Sequence, residues 1–347
     1  MKKDTLILSD SCFIIAELSA NHGHDIEVAK ETIRAAKRAG ADAIKLQTYT
    51  ADTITLDAKT DDFKISGTIW EGQYLYDLYK EASLPWEWHK ALFDVAKEEG
   101  LVCFSSPFDK TAVDFLEELN CPIYKIASFE ITDIPLIEYV ASKGKPVIIS
   151  TGIADEEDIR LALETCRNAG NNQIVLLKCT SAYPAKIEDA NLVMIKDMAE
   201  KFGVVTGLSD HTLGTLVPTL SIAMGAKVIE KHFILDRSIG GADASFSLDE
   251  KEFTEMVQSV RAAESAIGKI DYSLTEGKKK SRVFSRSLYV SENMKAGEVI
   301  TEKNVRSVRP GFGLHTKHLK NILGKKVKAD LQKGTPFSLD FIQPNGE

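Results

Sequence analysis

The chain has 347 residues, 44% hydrophobic and 27% charged, the balance of a globular protein with one large and one small domain. Its net charge of −8 argues against general binding to nucleic acid or to anionic membranes, but not against a small anionic substrate. No apolar run reaches the ~18 residues of a membrane span, the N-terminus shows no signal core, and Cys12, Cys103, Cys121, Cys166 and Cys179 are scattered; a cytoplasmic chain with reduced thiols is expected.

In chain order, Phe13 to Leu18 is a short apolar run that carries Glu17, with Asn21 and His22 in the loop beyond it. Residues 26–39 have helical periodicity and stop at Gly40. Residues 42–48 form a strand with Lys45 inside it. Residues 49–84 are a long insertion containing Trp70, Tyr74, Tyr76 and Tyr79; in a barrel a loop of this length usually covers a site, the alternative being a simple decoration. Alternation then becomes regular. Helices are predicted at 86–99, 110–119, 135–142, 155–169 and 191–202, with strands at 101–106, 123–128, 146–151 and 174–180. Two more apolar runs lead into Gly207-Leu208-Ser209-Asp210-His211 and Glu230-Lys231-His232-Phe233, with a helix at 213–224 between them and a final helix at 248–267. Eight strands alternating with eight helices over about 265 residues predict a (β/α)8 TIM barrel. A doubly wound open sheet is the rival, weakened because the first βα turn has no GxGxxG. Residues 1–270 are therefore assigned to the barrel, the basic stretch 271–282 to a linker, and 283–347 to a small, mostly β domain.

Active sites of such barrels lie at the C-terminal ends of the strands. There the sequence places Glu17, Lys45 with Gln47, Ser105 with Ser106, Lys125 with Ser128 and Glu130, Ser150, Ser181 with Tyr183, Ser209 with His211, and Glu230 with His232. Single serines suit strand-ending turns. A ring of them around two lysines reads as a cradle for a phosphate and a second anionic group. A lysine inside a barrel strand pairs with an anion, forms a Schiff base or snorkels to water; anion binding comes first here and Schiff-base chemistry second. Glu130 is either a general base or an ordinary loop carboxylate. His211 and His232 are either two unrelated core or loop histidines or, since they stand at equivalent places in successive βα units, ligands for a divalent transition metal; the second reading comes first.

These pieces also carry a resemblance. The runs from Ala16 to His22, Lys45 to Thr48, Ser106 to Phe108, Tyr124 to Glu130, Ser150 to Gly152, Cys179 to Pro184, Gly207 to His211 and Glu230 to Phe233 resemble the sialic acid synthase family. The tail Val308-Arg309-Pro310-Gly311-Phe312-Gly313 resembles that family's C-terminal antifreeze-like (SAF) domain. The forms Glu17 to His22, Ser105 to Pro107, Ala127 to Glu130 and Phe312 to His315 fit its pseudaminic branch, with the legionaminic branch the other close one.

The resemblance implies condensation of phosphoenolpyruvate with an amino-sugar aldehyde and release of phosphate. It implies that Lys45, Ser106, Ser128, Ser150, Ser181 and Ser209 hold the phosphate and Lys125 the carboxylate. It gives His211 and His232 to Mn²⁺ or Mg²⁺; two imidazoles favour Mn²⁺. Glu130, with Glu17, handles the proton of water. Gln47, Tyr183, Glu230 and Asp243 line the sugar site, and Phe284 and Arg309 reach the sugar's N-acyl group from the SAF domain of the partner in a homodimer. A Schiff-base aldolase and a non-catalytic sugar- or ice-binding protein are the alternatives; the tail lacks the flat Thr-rich face an ice binder needs.

Overall fold

The computed structural model describes residues 11–344, so the N-terminal segment read for a signal core lies outside the described residues. The chain divides into two compact units, at Gly268 and Lys269.

The first unit is a closed parallel barrel of β1 (Phe13–Glu17), β2 (Ala43–Thr48), β3 (Val102–Pro107), β4 (Tyr124–Ile126), β5 (Val147–Ser150), β6 (Ile174–Cys179), β7 (Val205–Asp210) and β8 (Val228–His232), in chain order. β8 closes on β1 from Phe13↔Val228 to Glu17↔His232. Runs such as Val147-Ile148-Ile149 are buried on both faces, as a sheet filled inside and covered outside requires. The covering helices are amphipathic. Ile26–Arg38 turns Ala29, Ile33, Ala35 and Ala36 inward, and the Asp25 side chain caps its first turn at the Glu27 amide.

β4 stops two residues short of expectation. Ala127 stays extended, and Ser128–Glu130 forms a 3₁₀ turn that carries both Ser128 and Glu130. The insertion is structured. It holds a helix at Ala51–Ile54, a hairpin closed by the Lys64↔Tyr74 bridge, and a helix at Leu75–Ala82.

In the second unit, β9 (Ser287–Val290) pairs antiparallel with β10 (Val305–Val308), and isolated bridges supply the remaining β pairing. Leu288, Val290, Met294, Ile300, Val305 and Phe337 form its core. The turns at residues 295–298 and 333–336 place Gly297 and Gly334 at φ of +83° and +90°, which glycine adopts without steric cost. The expected linker is more ordered than its composition implies: Glu276–Ser281 is a short helix whose first turn is capped by Thr275. Among the described residues no helix is long and apolar enough to cross a membrane.

Candidate active site

Parallel register brings the strand-end charges together. Glu17 on β1 is level with Lys45 on β2 and with His232 on β8, and Ser209 on β7 is level with Glu230 on β8. Lys45 Nζ lies 2.6 Å from Glu17 Oε2 and 3.0 Å from Glu230 Oε2. Lys125 Nζ is 3.7 Å from Glu230 Oε1 and donates to Ser150 Oγ at 2.7 Å and to the Ile126 carbonyl at 3.0 Å. Ser209 donates to Glu230 Oε1 at 2.9 Å, and Gln47 donates to Glu17 Oε1 at 2.7 Å. Glu230, expected toward the sugar, thus sits between the two lysines.

All four charged groups are buried, so each needs its partners to stay ionised. Burial works against the Lys45 ammonium, but Glu17 and Glu230 outweigh it and raise its pKa. Burial lowers Lys125, which has only partial compensation from Glu230. Glu17 is pushed up by burial and pulled further down by Lys45, so its net shift is downward. Glu230 shifts the same way, with Lys125 and Lys45 opposing burial.

The hydroxyls divide into two groups. Ser150 and Ser209 are committed to Lys125 and Glu230. Ser128 and Ser181 lie 2.8 Å apart, and the Ile153 amide donates to Ser128 Oγ at 3.1 Å. A Cβ at Gly152 would meet Ser181 Oγ at 2.2 Å and Ser128 Oγ at 2.6 Å, so this corner exists only because residue 152 has no side chain. Ser106 Oγ is buried without a hydrogen-bond partner. Ser105 belongs elsewhere: it bonds Thr48 Oγ1 at 2.6 Å in a buried group with His89.

His211 follows β7 and His232 ends β8; their ring centroids are 5.3 Å apart. With His211 Nδ1 donating to the Thr180 carbonyl at 2.9 Å, Nε2 becomes the acceptor. Burial holds His232 below the usual histidine range, which Glu17 and Asp243 only partly offset. Its Nδ1 is buried without a hydrogen-bond partner, 3.7 Å from Asp243 Oδ2. His211 is drawn upward: burial disfavours its proton, but the Cys179 sulfur favours it more. A cation at Nε2 would compete with that proton.

Among the described residues no group of three His, Cys, Asp or Glu is arranged to hold a metal ion. The two imidazoles, one with an orphaned buried nitrogen, nonetheless fit a borderline divalent cation that keeps further positions open for substrate or water.

Most of these groups line one cavity of about 430 Å³; Ser105 and Ser106 are not among its lining residues. Glu17, Lys45, Gln47, Lys125, Ser128, Glu130, Ser150, Ser181, Tyr183, Ser209, His211, Glu230, His232 and Asp243 all reach it. Tyr183 packs on His211 at 4.5 Å between ring centroids. Glu130 Oε2 is buried without a partner, and burial pushes its carboxyl up to about 7. Phe284 and Arg309 belong to the second unit, where both are exposed. Sequence reasoning gave no role to Ser19, which bonds Asp243 and accepts from Gln47 at 3.0 Å. The signal was its place between Glu17 and Asn21, in a tight turn that holds it at a φ of +48°.

Residues 32–272 match the NeuB family and residues 285–343 the SAF domain. A pseudaminic acid synthase of Campylobacter jejuni is 51% identical over 93% of this chain and 94% of its own length. An N,N'-diacetyllegionaminic acid synthase of Legionella pneumophila is 38% identical over 96% of each chain. The crystal structure of an N-acetylneuraminic acid synthetase from Leptospira borgpetersenii, in complex with citrate, superposes with a TM-score of 0.70 at 30% identity, covering 78% of this chain and 90% of that one. The chain belongs to the NeuB family and carries a SAF domain at its C-terminal end.

Proposed function

We propose that this chain is a transferase of the pseudaminic acid synthase type. It condenses phosphoenolpyruvate with the open-chain form of 2,4-diacetamido-2,4,6-trideoxy-β-L-altropyranose and water, giving pseudaminic acid and phosphate. The observation that carries the reading is the pair of buried lysines among hydroxyls, on the floor of a cavity that also holds two imidazoles. The 51% identity to a protein named for this activity supports the choice of sugar.

In this reading Lys45 takes the phosphate, joined by Ser106, by the Ser128–Ser181 corner and by Ser150 and Ser209. Lys125 takes the carboxylate as a point charge. The anion draws the ammonium groups away from Glu17 and Glu230. The enol carbon bonds the aldehyde carbon, whose oxygen takes up a proton and becomes a hydroxyl; the oxygen of water bonds C2; and the tetrahedral intermediate breaks its C–O bond, leaving a ketone at C2 as phosphate departs with the C2 hydroxyl proton. Glu130 takes the proton of that water; a pKa near 7 suits a base at neutral pH. Glu17 shares the handling of that proton, and Gln47, Tyr183, Glu230 and Asp243 line the sugar site. His211 and His232 would hold the divalent cation, Mn²⁺ ahead of Mg²⁺, and when bound it polarises the aldehyde oxygen as a Lewis acid.

Arg309 and Phe284 are assigned to the N-acyl group, supplied by the partner in a homodimer with exchanged SAF domains in the cytoplasm. Mixing a His232→Ala protein with an Arg309→Ala protein tests the exchange, since recovered activity requires composite sites.

Phosphate release from phosphoenolpyruvate tests the reaction. The altro-configured acceptor is expected to outpace the manno analogue of the legionaminic route and N-acetylmannosamine. Faster turnover of either rival overturns the choice of sugar, and release with none overturns the function.

A further inference from the structure

The insertion at residues 49–84 has no part in the chemistry above, yet it builds one side of the cavity. Residues 64–74 form a hairpin, with the Ile65 amide donating to the Gln73 carbonyl at 2.8 Å and the Gly72 amide to the Ile65 carbonyl at 2.9 Å. Leu75–Ala82 follows as a helix. From these two pieces Ile65, Thr68, Trp70, Leu75, Leu78, Tyr79 and Ala82 line the cavity. The insertion is rich in charge, including Asp61, Asp62, Lys64, Glu71, Asp77 and Lys80, and none of these charged side chains lines it. The segment therefore presents an uncharged, mostly apolar wall, with Ile65 and Trp70 at the hairpin and the Thr68 and Tyr79 hydroxyls as its polar groups, to a site whose floor is ionic.

Trp70 is held in place at both ends. Its Nε1 donates to the Ala242 carbonyl at 3.2 Å, next to Asp243, and its ring lies 5.8 Å from the Tyr183 ring. Tyr183 in turn packs on His211. The wall thus stands two aromatic contacts away from the imidazole beside which the aldehyde reacts. An open-chain sugar with its aldehyde at the histidines carries its other end away from the ionic floor. A 6-deoxy sugar ends in a methyl group, which gains from apolar contact. A 6-hydroxy sugar would lose water there with few partners in return.

Resting on the function proposed above, we propose that Trp70 and Ile65 determine acceptor specificity by packing on the C6 methyl group, selecting 6-deoxy over 6-hydroxy sugars. The test compares kcat/KM for the trideoxy altrose acceptor and for its 6-hydroxy counterpart. The native protein is expected to favour the deoxy sugar by about 100-fold, the discrimination an apolar pocket gives against a hydroxyl in place of an apolar group. Trp70→Ala should bring the ratio toward one through a higher KM for the deoxy sugar, with KM for phosphoenolpyruvate unchanged. Trp70→Phe should keep most of the preference. Ile65→Ala leaves the Ala242 hydrogen bond intact and should lower the ratio too, so the test survives if Trp70→Ala fails to fold.

A native protein that uses both sugars equally, or variants that lose both activities in proportion, overturns the inference while the proposed reaction stands. No phosphate release with any acceptor overturns both.

Discussion

Glu130 offers a prediction in which stability and rate move in opposite directions. Its carboxyl is buried, one oxygen lacks a partner, and its pKa stands at about 7 against an ordinary 4.5. Burial is the main cause, only partly relieved by Lys125. Between these two values the folded protein binds a proton that the unfolded chain has released. Stability at this site is therefore full below pH 4.5, falls as pH rises toward 7, and is level above that. The gap corresponds to about 3 kcal/mol of penalty for the ionised form above pH 7. Glu130→Gln removes the titrating group and keeps the shape. Denaturant unfolding at pH 5 and pH 8 should show the variant gaining up to about 3 kcal/mol over the native protein at pH 8 and little at pH 5. Phosphate release should meanwhile fall by about 10²- to 10⁴-fold, the usual worth of a general base, and lose its rise through pH 7. A variant with the native pH dependence of stability would refute the burial argument, and one with native turnover would refute the role as base.

Three further perturbations bear on the floor of the site. Lys45→Met leaves Glu17 and Glu230 buried without their shared cation; it should cost about 3–5 kcal/mol in denaturant unfolding and raise KM for phosphoenolpyruvate, and an unchanged midpoint contradicts the pairing. Gly152→Ala pushes a methyl group into the Ser128–Ser181 corner; about 1–3 kcal/mol of stability and much of the phosphoenolpyruvate affinity should be lost, and a native KM removes that corner from the anion site. Borohydride added during turnover should trap no adduct on Lys125, whose depressed pKa would also suit a Schiff base, and a covalent adduct would restore the aldolase reading.

The barrel was legible because its strands are continuous apolar runs such as Val147-Ile148-Ile149 and its helices keep a 3.6-residue period. The strand ends then placed Lys45, Lys125, His211 and His232 at one mouth, because parallel strands in a barrel share a direction. What stayed hidden depends on contacts distant in sequence. Glu230 lies between two lysines contributed by β2 and β4, and neither strand adjoins it in the chain. Ser105 and Ser106 are neighbours with similar chemistry, yet strand alternation sends one into the Thr48–His89 group and leaves the other as a buried hydroxyl without a partner. The insertion showed only its aromatics, because its fold rests on a short hairpin and the Trp70 bond to Ala242, 172 residues away. Residues 276–281 read as linker because a short, charged helix leaves no apolar period.

The account depends most on a divalent cation held by His211 and His232. Its most direct test is phosphate release from phosphoenolpyruvate and the altro-configured acceptor by protein stripped of metal with a chelator, then resupplied. Turnover should vanish on stripping and return with Mn²⁺, in the native protein but not in His232→Ala. Full turnover by the metal-free protein would contradict it.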